Sequence, residues 1–208
     1  MGKHERGKHR KHADRTSVEQ VDVAVARQAA VLRDLPIVKA LGQVGELADQ
    51  PPMIALCAAT IGYGLAAKER EITRLGLRML AAHLLATGAK TAIKRSVDRS
   101  RPAVLIDEGH YRLERGTDAE DKDLASFPSG HTAGAVAVAR AWSRERSGDA
   151  PAAAALAITA AAIQLPRCAH YASDILVGAV IGLVAEATAS AAIDAVPWLA
   201  NAGMEQER

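Results

Sequence analysis

Two stretches of this chain, Pro51 to Ala67 and Ala150 to Pro166, run without a single charged residue. Each approaches the about 20 predominantly apolar residues that a membrane-spanning helix requires. Around them, Val21, Val25, Ala29, Leu32, Leu35, Val38, Leu41 and Val44 recur at helical intervals, with Pro36 breaking the run, so Val21 to Ala48 reads as one or two amphipathic helices. Further apolar segments run from Leu75 to Ile93, His131 to Trp142, Ala150 to Leu165 and Ser173 to about Val196. None alternates apolar and polar residues with period two, so the chain reads as all-α, a helical bundle of about five or six helices.

Composition leaves two classes for such a bundle. The 208 residues are 49% hydrophobic with a net charge of only +2, which excludes general disorder. Yet 24% are charged, only 3% are aromatic and mean hydropathy is -0.00, so the apolar content is small aliphatics, Ala above all. A soluble helical domain and a membrane protein of borderline hydropathy both fit. The membrane reading must place Arg78, Arg140 or Glu186 in or near a span, where a charge costs roughly 2.5 to 3.5 kcal/mol unless it snorkels or pairs. Arg140 and Glu186 are candidates to pair with each other. Cys57 and Cys168 lack any CxxC partner, which supports neither a disulfide framework nor a zinc site.

The first residues, MGKHERGKHRKHADRT, are basic and have no apolar core for an export signal. They read as a solvated tail that also suits anionic lipid headgroups or nucleic acid; no specific nucleic-acid partner is expected. His4, His9 and His12 lack the apolar frame that fixes metal geometry. The expected division is a tail over 1–20, one helical domain over 21–200 and a C-terminal tail over 201–208.

Three polar clusters interrupt the apolar pattern. In KRSVDRSRP, Lys94 and Arg101 are seven apart, which on one helix points both cations from one face toward a tetrahedral oxyanion; the same run also reads as a basic surface stretch. In SFPSGHTAG, Pro128 sets a turn, Ser129 suits an N-cap, Gly130 allows close approach of a ligand, and a helix starts near His131. Free N–H groups and the helix dipole there favour an anion, and His131 is placed to act as a general acid, although an ordinary helix start reads alike. In PRCAHYASDILVG, His170 and Asp174 are four apart, so that on a helix the carboxylate orients the imidazole and leaves its other nitrogen as a nucleophile or base.

Lys-x6-Arg-Pro, Pro-Ser-Gly-His and His-x3-Asp, in this order beside apolar helices, resemble the type 2 phosphatidic acid phosphatase and vanadium haloperoxidase superfamily. The resemblance covers about Leu75 to Ala185. It implies that Lys94 and Arg101 hold phosphate oxygens, that Ser129 and the Gly130 amide add donors, and that His131 protonates the leaving oxygen. His170 would attack phosphorus to form a phosphohistidine, with Asp174 orienting it and no metal or other cofactor required. The third cluster departs from the family pattern: the arginine usual six residues before the histidine is Gln164 here, and Arg167 is the expected substitute phosphate ligand.

The resemblance also implies a membrane phosphatase acting on a lipid phosphomonoester or diphosphate, such as undecaprenyl diphosphate or phosphatidate. In the family's membrane branch the three clusters share one face, which leaves the basic connectors KEREITR and SRERSGD on the other. By the positive-inside effect those connectors are cytoplasmic, and the site faces the periplasm of an inner membrane. Alternatives are a vanadate-dependent haloperoxidase and a non-catalytic membrane scaffold of the same fold, the latter favoured by Gln164. His110, Tyr111, Arg112 and Arg115, in the loop from Ile106 to Leu124, are candidate headgroup contacts, with a solvated loop as the simpler reading.

Overall fold

The computed structural model describes residues 15–117 and 121–196. The expected C-terminal tail and most of the basic N-terminal tail therefore lie outside the described residues. Residues 17–20, expected in the tail, instead form the first turn of α1 (Ser17–Ala30), whose start is fixed by a capping box between Thr16 and Glu19. Then follow α2 (Pro36–Gly45), opened by the helix-compatible Pro36, and α3 (Gln50–Ala67). Next come α4 (Arg70–Lys94), β1 (Val97–Arg99), α5 (Pro102–Glu108) and β2 (Leu113–Arg115). The chain closes with α6 (Gly130–Glu145), α7 (Ala150–Ala162) and α8 (Ala172–Asp194).

Eight α-helices thus stand among the described residues against an expectation of five or six. Pro36 divides the first region in two, and Pro102 starts a short helix inside a stretch that reads as polar loop. The chain is also not purely helical. Strands β1 and β2 pair antiparallel, Val97 opposite Arg115 and Arg99 opposite Leu113. Three residues per strand are too few to display a period-two pattern in sequence.

Helices α4, α6 and α8 pack on one another, with α3 against α4 and α7 against α6. With 25 residues, α4 is about 37 Å long at 1.5 Å per residue. The core is built of small side chains: Ala82 and Ala86 from α4, Ala133, Ala137 and Ala141 from α6, and Ala185 and Ala189 from α8, around Met79 and Cys57. Small residues let backbones approach closely, and α6 and α8 do so at Gly178 and Gly182. A Cβ at Gly178 would stand 2.5 Å from the Ser129 carbonyl oxygen, and one at Gly182 would stand 2.6 Å from that of Ala133. Large apolar side chains point outward instead, among them Leu84 and Leu85 on α4, Leu156 and Ile158 on α7, and Leu176, Val180 and Val184 on α8. One described helix, α8, is long and apolar enough to cross a membrane.

Because α4 runs opposite to α6 and α8, its start meets their ends. The charges that interrupt the apolar segments collect there. Arg78 Nε lies 2.8 Å from Glu145, and its Nη2 lies 2.5 Å from Asp194, while Arg74 reaches Glu145 at 2.7 Å. Glu186 is paired not with Arg140, as expected, but with Arg144 at 2.9 Å, one turn further along α6, and it accepts the Ser190 hydroxyl at 2.6 Å. Pairing offsets part of the cost of burying each charge. The polar clusters gather at the opposite end of the bundle, where α1 and α2 also dock.

Candidate active site

The end of α4, the β1–β2 hairpin, the loop before α6 and the turn before α8 converge on His170, which is 3% exposed. Its Nδ1 lies 2.6 Å from the Ser126 carbonyl oxygen. A carbonyl only accepts, so Nδ1 carries the proton and Nε2 keeps the lone pair. Burial, with Lys94 and Arg101 nearby, holds the imidazole well below the usual histidine range and therefore neutral. A neutral histidine with a free Nε2 is a nucleophile in waiting.

Asp174 does not hold His170 directly. The nearest approach is 3.9 Å, because α8 begins at Ala172 and His170 precedes it, so the four-residue helical spacing does not apply. Asp174 Oδ2 instead accepts the Ser126 hydroxyl at 2.6 Å and the Tyr171 N–H at 2.8 Å. It fixes the residue whose carbonyl fixes His170. Asp174 Oδ1 takes Arg99 Nη1 at 2.5 Å, and Arg99 Nη2 reaches Asp22 on α1 at 2.8 Å. Asp22 also accepts the Ser173 N–H at 2.9 Å. The Arg99 guanidinium lies 4.2 Å from the Tyr171 ring centroid and donates to the Tyr111 hydroxyl at 3.2 Å.

Sequence reasoning missed Arg99, Asp22 and Ser126. Arg99 lies within the first cluster, but its partners are 75 and 77 residues away and leave no local spacing signal. Tyr111, expected as a headgroup contact in a solvated loop, is 1% exposed and supports Arg99 from the core. Arg112 is held by Glu114 at 3.0 Å. His110 and Arg115 are exposed.

Lys94 and Arg101 do not share a helix face. Lys94 ends α4, Arg101 caps α5, and β1 lies between them. The turns bring them together instead: both lower the proton affinity of His170. Lys94 Nζ donates to the Ala125 carbonyl at 2.7 Å and Arg101 Nε to that of Lys122 at 2.9 Å, so carbonyls aim both cations. Ser129 is the N-cap of α6, and its hydroxyl lies 2.9 Å from that of Thr132. Its own N–H donates to the Asp174 carbonyl at 3.1 Å, which ties α6 to α8. Among the described residues no backbone carbonyl takes the Gly130 or His131 N–H, so these helix-start donors remain for an anion.

Two acidic residues outside the three clusters also reach the site. Between α2 and α3, Asp49 Oδ1 lies 2.9 Å from His131 Nε2, and Glu46 binds the Arg167 guanidinium. Arg167 lies against Gly42 of α2, where a Cβ would stand 3.0 Å from its Nε. Gln164 is fully buried, its amide nitrogen donating to the Ala160 carbonyl at 3.0 Å. Glu46, Asp49 and His131 place one potential metal-ligand atom each within 4.8 Å of one another, and Glu46 is already bound to Arg167. The arrangement as a whole sets an oriented, neutral imidazole beside two cations, a helix N-terminus and a second histidine, a combination that suits phosphoryl transfer.

A family model described as the PAP2 superfamily matches residues 75–196. No curated protein matches this chain. Solved structures share the fold, among them the following two. Aquifex aeolicus LpxE is 19% identical, with a TM-score of 0.57 over 81% of this chain and 94% of its own. A transmembrane PAP2 type phosphatidylglycerolphosphate phosphatase from Bacillus subtilis is 18% identical, with a TM-score of 0.58 over 88% of this chain and 90% of its own. The family match spans more than half of the chain and takes in all three polar clusters, so this chain belongs to the PAP2 superfamily.

Proposed function

We propose that this protein is a membrane phosphatase that hydrolyses a lipid phosphomonoester or diphosphate through a phosphohistidine. The observation that carries this reading is His170, neutral and with Nε2 unprotonated, beside Lys94, Arg101 and the N-terminus of α6. Lys94, Arg101 and the Gly130 amide hold the phosphate oxygens, and Ser129 shapes the turn that presents that amide. His170 Nε2 attacks phosphorus as the ester oxygen leaves with a proton from His131. His131, now a base, takes a proton from water, whose oxygen attacks phosphorus; the P–N bond breaks and its electron pair returns to Nε2. Asp174 acts through Ser126 to keep His170 in this tautomer. Fixed cations and amide dipoles neutralise the transferring group, and this step calls on no metal.

The lipid setting is supported by the outward Leu and Val side chains of α4, α7 and α8, by the length of α8, and by the PAP2 lipid phosphatases that share the fold. The basic connectors KEREITR and SRERSGD stand at the end away from His170, which favours that end in the cytoplasm and the site on the periplasmic side of an inner membrane. Undecaprenyl diphosphate, phosphatidate, phosphatidylglycerol phosphate and a lipid A phosphate are the substrates to compare. Phosphate release by detergent-solubilised protein across this panel tests the reading, and His170→Ala is expected to abolish it. Release undiminished by that substitution would sink the mechanism.

A further inference from the structure

We propose that Lys90 is a third cation of the phosphate site and supplies the positive charge that the third cluster lacks at Gln164; the proposal rests on the phosphatase reading above. Lys90 stands four residues before Lys94 on α4, so both ammonium groups leave the same face of that helix. A Cβ built on Gly130 would lie 2.8 Å from Lys90 Nζ and 3.0 Å from its Cδ. The side chain is therefore laid across the first residue of α6, at the helix end whose free N–H groups and positive dipole attract anions. An ammonium group and a helix N-terminus repel one another unless an anion lies between them.

What sets Lys90 apart from the other cations is its lack of an acceptor. Lys94 and Arg101 are aimed by backbone carbonyls, and Arg167 is bound to Glu46. Among the described residues Lys90 takes part in no hydrogen bond or ion pair. The carboxylate that acts on it, Asp49, forms neither a hydrogen bond nor an ion pair with it. A half-buried ammonium group without an acceptor is costly, and a phosphate oxygen beside Gly130 satisfies it. Gln164 brings no charge, and its amide nitrogen is committed to the Ala160 carbonyl. The family's missing arginine is thus replaced from α4, one turn before Lys94, and not from Arg167 within the third cluster.

The test uses the full chain in detergent with Lys90→Met, Lys90→Gln, Lys90→Arg, Arg167→Met and the double variant Lys90→Met/Gln164→Arg. Losing one charge-assisted phosphate contact is expected to lower kcat/KM by about 10- to 100-fold. Inhibition by inorganic phosphate should weaken in proportion. Lys90→Arg should retain most activity, Arg167→Met should change either quantity less than Lys90→Met does, and Gln164→Arg should restore activity to the Lys90→Met protein. Circular dichroism confirms folding, and Lys90→Gln substitutes if the methionine variant does not fold. Kinetics and phosphate inhibition of the neutral variants equal to those of the parent would overturn the proposal, as would a larger loss in Arg167→Met. If the parent releases phosphate from no lipid, the phosphatase reading fails. Calorimetric titration with inorganic phosphate then still decides the cation, because binding unchanged by Lys90→Met refutes it.

Discussion

The Arg99 side chain joins α1, the β1–β2 hairpin and α8, and replacing it with methionine isolates what that junction contributes. The substitution keeps an unbranched stem but leaves Asp22 and Asp174 facing each other without a cation, with side chains only 3% and 0% exposed. Removing one partner of a buried ion pair costs about 3 to 5 kcal/mol, because the remaining charge has no water to return to. At about 2 to 4 °C per kcal/mol for a chain of this size, Arg99→Met should lower Tm by ~6 to 20 °C in a detergent thermal melt. Asp22→Asn in the Arg99→Met background should recover part of the loss, since it removes one of the two stranded carboxylates. The four proteins form a double-mutant cycle whose coupling measures the junction itself. Activity should fall with stability, since Asp174 steadies Ser126 and Ser126 orients His170. A Tm drop below about 2 °C, or strict additivity in the cycle, would refute the claim that these charges depend on one another.

Three further outcomes follow from the same geometry. Because His170 is held well below the ordinary 6.5, its ring should stay neutral in a histidine NMR titration down through pH 6; the matching stability is present above pH 6.5 and lost as pH falls toward the folded value. A His170 resonance that titrates at 6.5 would contradict the buried setting. Glu46→Gln frees the Arg167 guanidinium and should lower KM by about 2- to 5-fold, as expected for release of an exposed ion pair, with kcat unchanged; a raised KM would mean that Glu46 itself contacts substrate. Gly178→Ala places a methyl carbon 2.5 Å from the Ser129 carbonyl, and overpacking of about 1 to 3 kcal/mol should appear as a lower Tm together with reduced kcat, since Ser129 belongs to the site. Unchanged kinetics in that variant would separate the α6–α8 contact from catalysis.

What the sequence determined by itself is what depends on neighbouring residues. Uncharged runs, Pro36 and the Ser129 cap are local signals, and the helices at Gln50–Ala67, Gly130–Glu145 and Ala172–Asp194 follow from them. The order of the three clusters was equally legible, and it carried the family. Spacing arguments failed where they assumed an unbroken helix: His170 lies outside α8, and Lys94 and Arg101 are separated by β1. Only the tertiary structure decided which groups orient His170 and which cations stand near it. Arg99 meets Asp22 and Asp174 across 77 and 75 residues of chain, Ser126 meets Asp174 across 48, and Lys90 reaches Gly130 because α4 and α6 run side by side. Such contacts arise from how small-residue helices pack. Packing is a property of the whole bundle, so no window of sequence contains it.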